Sequence, residues 1–311
     1  TSRSMRARRP TVTSAASRIR TAASRGKRPI SRIRSNLHSD VSGEEHAERH
    51  RRKLYGRRKG PSLSVRQEQL LETLLPKLTP QFQPGLDPRH YFQSPPPRGE
   101  ADNSRSEFRV GGSVANESPP PGSLRSPTSP QGGGDVEIDD VWLEVGFGAG
   151  EHLHWQAVNH PRIGIIGAEP FVNGVAKLLS KIEDEPAPNI RLYMDDARDI
   201  ISALPDASLG RVFVLFPDPW PKLRHHKRRF LQTEMLDQLA RVMKPGAELR
   251  FGSDDAPLLE FTLEILMAHP SFDWTATRAA DWHQRPADWP QTRYEAKQLH
   301  GIPAFLRFCR V

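Results

Sequence analysis

The chain has 311 residues, 29 of them proline, and a mean hydropathy of −0.62, so the part that packs into a core must be shorter than the whole. A formal net charge of +8 and a pI of 9.9 favour a polyanionic partner, either nucleic acid or an anionic membrane surface. No apolar run approaches the roughly 20 residues that cross a bilayer and the Arg-rich start lacks the apolar stretch of a signal peptide, so a soluble, cytoplasmic protein is expected. Cys309 is the single cysteine, which excludes an intramolecular disulfide and a Cys-based zinc cluster.

In chain order, residues 1–60 hold 18 Lys and Arg against four acids and almost no large apolar side chains. Such a stretch buries too little to offset its ordering entropy, which predicts a disordered extension, either a solvated tail or an RNA-holding arm. Ser64-Val65-Arg66-Gln67 reads as a capping box, and Leu70, Leu71, Leu74, Leu75 and Leu78 follow at helical spacing, predicting a helical cover over 61–92. Residues 93–134 are rich in Pro, Ser and Gly without periodicity, the composition of a flexible insertion.

From 135 to 311 the texture is that of one catalytic domain. "DDVWLEVGFG", "RIGIIGAEP", "IRLYMDDA", "RVFVLFPDPW" and "AELRFGSDD" are strand candidates separated by helix-length segments. Leu231, Met235, Leu239 and Met243 predict one such helix, and Leu258, Phe261, Ile265 and Leu266 the next. Alternating strands and helices imply right-handed crossovers and a doubly wound α/β fold with a mostly parallel sheet.

Ligands in such sheets bind beyond the carboxyl ends of the strands. The first candidate ends in Glu144 and the glycines Gly146, Gly148 and Gly150, a turn that brings backbone close to a nucleotide-type cofactor. The G-x-G-x-G spacing departs from the dinucleotide fingerprint. Glu144 would repel a pyrophosphate but accept hydrogen bonds from a cationic amino-acid group, which favours S-adenosylmethionine over NAD. The second strand ends in Glu169, about 20 residues beyond the glycines, where an acid binds ribose hydroxyls. The third ends in Asp196, either an adenine-edge ligand or a solvated strand-end acid.

The fourth ends in Phe216-Pro217-Asp218-Pro219-Trp220. Two prolines fix a turn around one acid, tolerable only where the ladder has ended. Asp218 is expected either at the reacting centre or as the N-terminal acid of a following helix. Lys222, Arg224, His225, His226, Lys227, Arg228 and Arg229 come next, a basic run suited to carrying a nucleic-acid backbone past that acid. Adjacent histidines point apart and nothing completes a ligand set, so no metal is expected.

These residues together resemble the bacterial tRNA (guanine-N7)-methyltransferases. The likeness is carried by "LEVGFGAG", "GAEP", "DDARD", "FPDPWPKLRHHKRRF", "SDD" and "TRYE", with a weaker echo in "LYGRRKG". The resemblance implies a Rossmann-like class I methyltransferase fold with a seven-stranded sheet, S-adenosyl-L-methionine as cofactor and tRNA as substrate, methylated on the guanosine at position 46 of the variable loop. It implies that Glu144, Glu169, Asp196 and Asp218 bind the cofactor, that Asp218 is catalytic, and that Lys222, Asp254, Thr292, Arg293, Tyr294 and Glu295 contact the tRNA. The basic extension and the Pro/Ser insertion fall outside the family pattern. Another class I methyltransferase acting on an amino group, and a non-catalytic RNA-binding module, are the competing readings; the sequence does not choose between monomer and homodimer.

Overall fold

The computed structural model describes residues 60–93 and 137–311. The basic extension and the Pro/Ser/Gly insertion, apart from Gly60 and Gln93, lie outside the described residues.

The capping box forms as read: the Ser64 hydroxyl accepts from the Gln67 amide, and the Gln67 side-chain oxygen accepts from the Ser64 amide. It opens helix α1 (Val65–Thr73), but the leucine stripe is not one helix. The chain breaks at Leu74 and resumes as the single turn α2 (Leu75–Leu78), because Pro76 cannot donate to the preceding turn and is tolerated only near a helix start. Leu70, Leu71, Leu75 and Leu78 are buried nonetheless.

Next come a 3₁₀ turn (Pro88–Phe92), β1 (Asp140–Val145), α3 (Glu151–Asn159), β2 (Ile163–Ala168), α4 (Val172–Asp184), β3 (Ile190–Tyr193), α5 (Ala197–Ala203) and β4 (Leu209–Leu215). A second 3₁₀ segment (Leu223–Arg228) precedes α6 (Thr233–Val242), β5 (Met243–Ser253), α7 (Ala256–Met267), β6 (Phe272–Trp274), α8 (Ala280–His283), α9 (Arg293–Lys297) and β7 (Ala304–Arg310). The seven strands form one sheet in the order β3-β2-β1-β4-β5-β7-β6. Strands β1 to β5 run parallel, while β7 is antiparallel to both its neighbours. Met243, read as the last apolar position of a helix, is instead the first residue of β5, paired with Leu209 across a bulge.

Strand alternation divides the core in two. On one face Leu143, Ile166, Val212, Val214, Leu249 and Phe251 pack under α5, α6 and α7. On the other, Trp142, Ile165, Phe213 and Leu215 pack under α3, α4 and the α1 cover. The cover is fastened by polar contacts too: Arg66 pairs with Glu183 (2.6 Å) and Asp184 of α4, and Asn173 donates to the Pro61 carbonyl (2.8 Å). Among the described residues no helix is long and apolar enough to cross a membrane.

Candidate active site

After β1, β2 and β3 the chain crosses back to place β4 on the other side of β1, so the strand order reverses between β1 and β4. Loops leaving adjacent strands on opposite sides open a crevice there. A cavity of about 520 Å³ fills it, lined by the ends of β1, β2, β3 and β4 and by residues of the α9 region.

The glycine turn forms the floor. Gly146, Gly148 and Gly150 all take positive φ (72°, 57° and 71°), a conformation that side-chain-bearing residues adopt only at a cost. Gly150 is doubly constrained, since a Cβ there would sit 2.6 Å from Leu178 of α4. The turn is held from across the crevice by Glu169, whose carboxylate accepts from the amides of Gly148 and Phe171, both at 2.8 Å. Burial pushes the Glu169 carboxyl up to about 7; the two amides oppose the rise, and the nearby carboxylates of Asp218 and Glu144 add to it.

Glu144, at the end of β1, is buried and 2.7 Å from Nδ1 of His152. Asp196 is not the solvated strand-end acid allowed by spacing. It is buried, caps α5 by accepting from the Arg198 amide (3.1 Å), and pairs with the Arg198 guanidinium (3.2 Å), while still lining the cavity.

The tip of β4 is strained on both sides of the acid. Phe216 and Trp220 have φ of 48° and 49°, left-handed values that cost a bulky L-residue roughly 1–2 kcal/mol each. The Phe216 amide is anchored by donating to the Gly252 carbonyl (2.7 Å). Asp218 stands between them at the cavity rim, exposed on one side and desolvated on the other, which raises its carboxyl pKa. It is not a helix N-terminal acid, because the following 3₁₀ segment starts after Lys222 with no side-chain cap.

That segment divides the basic run into three roles. Lys222, Arg224 and Lys227 are exposed. Arg228 turns into the cavity with its guanidinium 5.0 Å from the Trp220 ring. Arg229 is buried, donates to the Pro219 carbonyl (3.1 Å) and lies 4.6 Å from the Phe261 ring, so it braces the Asp218 turn from behind.

Of the late residues, Thr292 and Tyr294 line the cavity. Thr292 caps α9, and the Tyr294 ring lies 3.4 Å from where a Gly148 Cβ would stand. Arg293 ties α9 to α3, its amide donating to Glu151 (2.6 Å). Glu295 is buried beside Arg285 (3.4 Å), with its carboxyl raised by that burial. Asp254 accepts from the His300 amide (3.0 Å), fixing the loop before β7. Asp254, Arg293, Glu295 and Lys222 are not among the residues lining the cavity. Sequence reading passed over His152 and the inward turn of Arg228; an HL pair after a glycine turn carries no motif, and a cation within a basic run has no sequence mark of direction. Among the described residues no group of His, Cys, Asp and Glu is placed to hold a metal ion.

A parallel sheet with an antiparallel penultimate strand, and an acid-lined cleft over a glycine turn at its switch point, define a Rossmann-like methyltransferase of class I. The family model Methyltransf_4, described as "Putative methyltransferase", matches residues 139–302. The chain is 43% identical over 265 residues to a tRNA (guanine-N(7)-)-methyltransferase of Rhodospirillum rubrum, covering 83% of this chain and 88% of that one. It is 39% identical over 272 residues to the enzyme of that name from Brucella anthropi, with 87% and 100% coverage. With that of Caulobacter vibrioides it shares 53% identity over 175 residues, 56% of this chain and 77% of the other. The chain belongs to the tRNA (guanine-N(7)-)-methyltransferase family.

Proposed function

We propose that the protein transfers a methyl group from S-adenosyl-L-methionine to guanine N7 in tRNA, at position 46 of the variable loop, in the cytoplasm. The observation that carries this reading is the convergence of three carboxylates, Glu144, Glu169 and Asp218, on one cavity that Arg228 of the basic run also lines. A pyrophosphate would meet like charge on three sides there, whereas a cation is favoured. The donor set thus fits a cationic, ribose-bearing methyl donor and not a dinucleotide.

Bound there, S-adenosylmethionine supplies an electrophilic methyl group. In this reading Glu144 accepts from its ammonium, Glu169 from its ribose hydroxyls and Asp196 from its adenine edge, with the backbone of Gly146, Gly148 and Gly150 as the floor. Guanine N7 has an in-plane lone pair and no proton, so no side chain acts as a base at that atom. Transfer to N7 would break the donor's C–S bond as the C–N bond forms and would leave the positive charge on the purine. Asp218 is held by a strained, proline-flanked turn, so it is fixed before the substrate arrives. Its carboxylate accepts from the guanine edge and offsets the developing charge, a preorganised electrostatic contribution. Thr292 and Tyr294 bound the base, while Asp254, Arg293 and Glu295 position the loops that approach the tRNA. Lys222, with Arg224 and Lys227, carries the phosphate backbone.

The test is to incubate the protein with labelled S-adenosylmethionine and bulk tRNA, reduce the RNA with borohydride and then treat it with aniline. N7-methylguanosine has a labile ring, so the reading predicts labelled tRNA that is cleaved at the modified residue. Label at an aniline-stable position would point to an amino-group methyltransferase instead.

A further inference from the structure

Glu144 can hold an ammonium group only if its carboxylate is charged and correctly aimed, and neither is assured for an acid with 2% of its surface exposed. Its partner in the fold is His152, itself 1% exposed, with Nδ1 at 2.7 Å from Oε2 of Glu144. The pair could be an imidazolium–carboxylate ion pair or a neutral imidazole donating to a carboxylate. These differ for the cofactor, since an imidazolium would cancel the charge that attracts the ammonium.

The far side of the ring decides between them. Gln156, one turn further along α3, places Nε2 at 2.7 Å from the Asp288 carbonyl and at 3.1 Å from Nε2 of His152. A backbone carbonyl can only accept, so the amide must present its NH₂ group to it; the opposite amide orientation would set two oxygens against each other. The same NH₂ group therefore faces His152, whose Nε2 must accept. The single ring proton then resides on Nδ1, aimed at Glu144. His152 is also the second residue of the nine-residue helix α3, where the helix dipole disfavours a cation, and its ring packs on Phe213 (4.6 Å). Trp289, with its ring 5.7 Å from that of His152, helps to fix the plane.

We infer that His152 is a positioning residue for the methyl donor: a neutral, Nδ1-protonated imidazole, locked in that tautomer by Gln156 and the Asp288 carbonyl, that aims Glu144 at the donor's ammonium group while leaving its negative charge intact. The inference rests on the reading of Glu144 as an ammonium ligand.

The test uses the full chain labelled with ¹⁵N at histidine and free of cofactor. At pH 7.5 one histidine, identified by its loss in His152→Asn, shows a protonated Nδ1 and a bare Nε2. A proton on Nε2, or on both nitrogens at pH 7.5, overturns the assignment. Binding of S-adenosylhomocysteine, measured by calorimetry, gives the second readout. His152→Asn keeps a donor at the Nδ1 position and retains affinity within about threefold, while His152→Phe, which fills the space without a donor, weakens binding about tenfold or more, as expected for losing a hydrogen bond to a charged group. Unchanged binding in His152→Phe together with weakened binding in Glu144→Gln refutes the clamp and leaves Glu144 as the ligand. Unchanged binding in Glu144→Gln removes the reading of Glu144, and the clamp with it. Should His152→Phe fail to fold, the wild-type tautomer alone decides.

Discussion

Glu169 offers a quantitative test, because the fold buries its carboxyl beside two others. Its carboxyl is carried from an ordinary 4.5 to about 7, chiefly by burial. Between those values the folded state binds more protons than the unfolded state, so stability must fall as pH rises through that window. The span corresponds to about 3 kcal/mol. Glu169→Gln, neutral throughout, removes the dependence. Urea unfolding of both proteins without cofactor, from pH 4.5 to 8, should therefore show the wild type losing about 3 kcal/mol relative to the variant, most of it below pH 7. The comparison cancels the other carboxylates to first order. A cationic, hydroxyl-bearing ligand favours the charged form, so binding of S-adenosylmethionine below pH 7 should release a proton and tighten up to tenfold per pH unit toward 7. A stability difference that is flat with pH would refute the claim that burial governs this carboxyl.

Gly150→Ala must place a Cβ at a φ of 71° and 2.6 Å from Leu178; strain and overpacking together predict a loss of about 3 kcal/mol in urea unfolding, and a loss below 1 kcal/mol would mean the turn is softer than described. Neutralising Lys222, Arg224 and Lys227 one at a time should leave stability within about 0.5 kcal/mol and lower the salt dependence of tRNA binding by about one charge each. Arg229→Ala should do the reverse, lowering the melting temperature because a buried brace to the Pro219 carbonyl is lost, with little change in the salt slope. Asp218→Ala should abolish methyl transfer while leaving S-adenosylhomocysteine affinity within about threefold; full transfer by that variant would remove Asp218 from the reaction centre.

The five parallel strands were legible because each carries a short apolar or alternating run that ends at an acid or a glycine, and a run's end is where the chain must turn. Strand β7 was not, since Arg307 and Arg310 interrupt its alternation and its partner β6 spans only three residues. The glycine turn could be read from spacing, and its three positive φ values give the reason for that spacing. The left-handed turns at Phe216 and Trp220 had no signal, because bulky residues rarely adopt them and only the surrounding packing imposes them. The basic run was visible as charge, yet its division into exposed Lys222, inward Arg228 and buried Arg229 depends on where Phe261 and Trp220 stand in space. Likewise the partnership of Glu144 with His152, and of both with Gln156 and Asp288, joins positions up to 144 residues apart and becomes readable only once β1, α3 and the loop before α9 are assembled.

In the proposed reaction one atom, guanine N7 at position 46, receives the methyl group. A tRNA transcript in which the guanine at position 46 carries carbon in place of N7 tests it directly, compared with the unmodified transcript at equal concentration. Label is expected in the unmodified transcript and none in the substituted one, with the two competing equally for the protein. Equal methylation of both would contradict it.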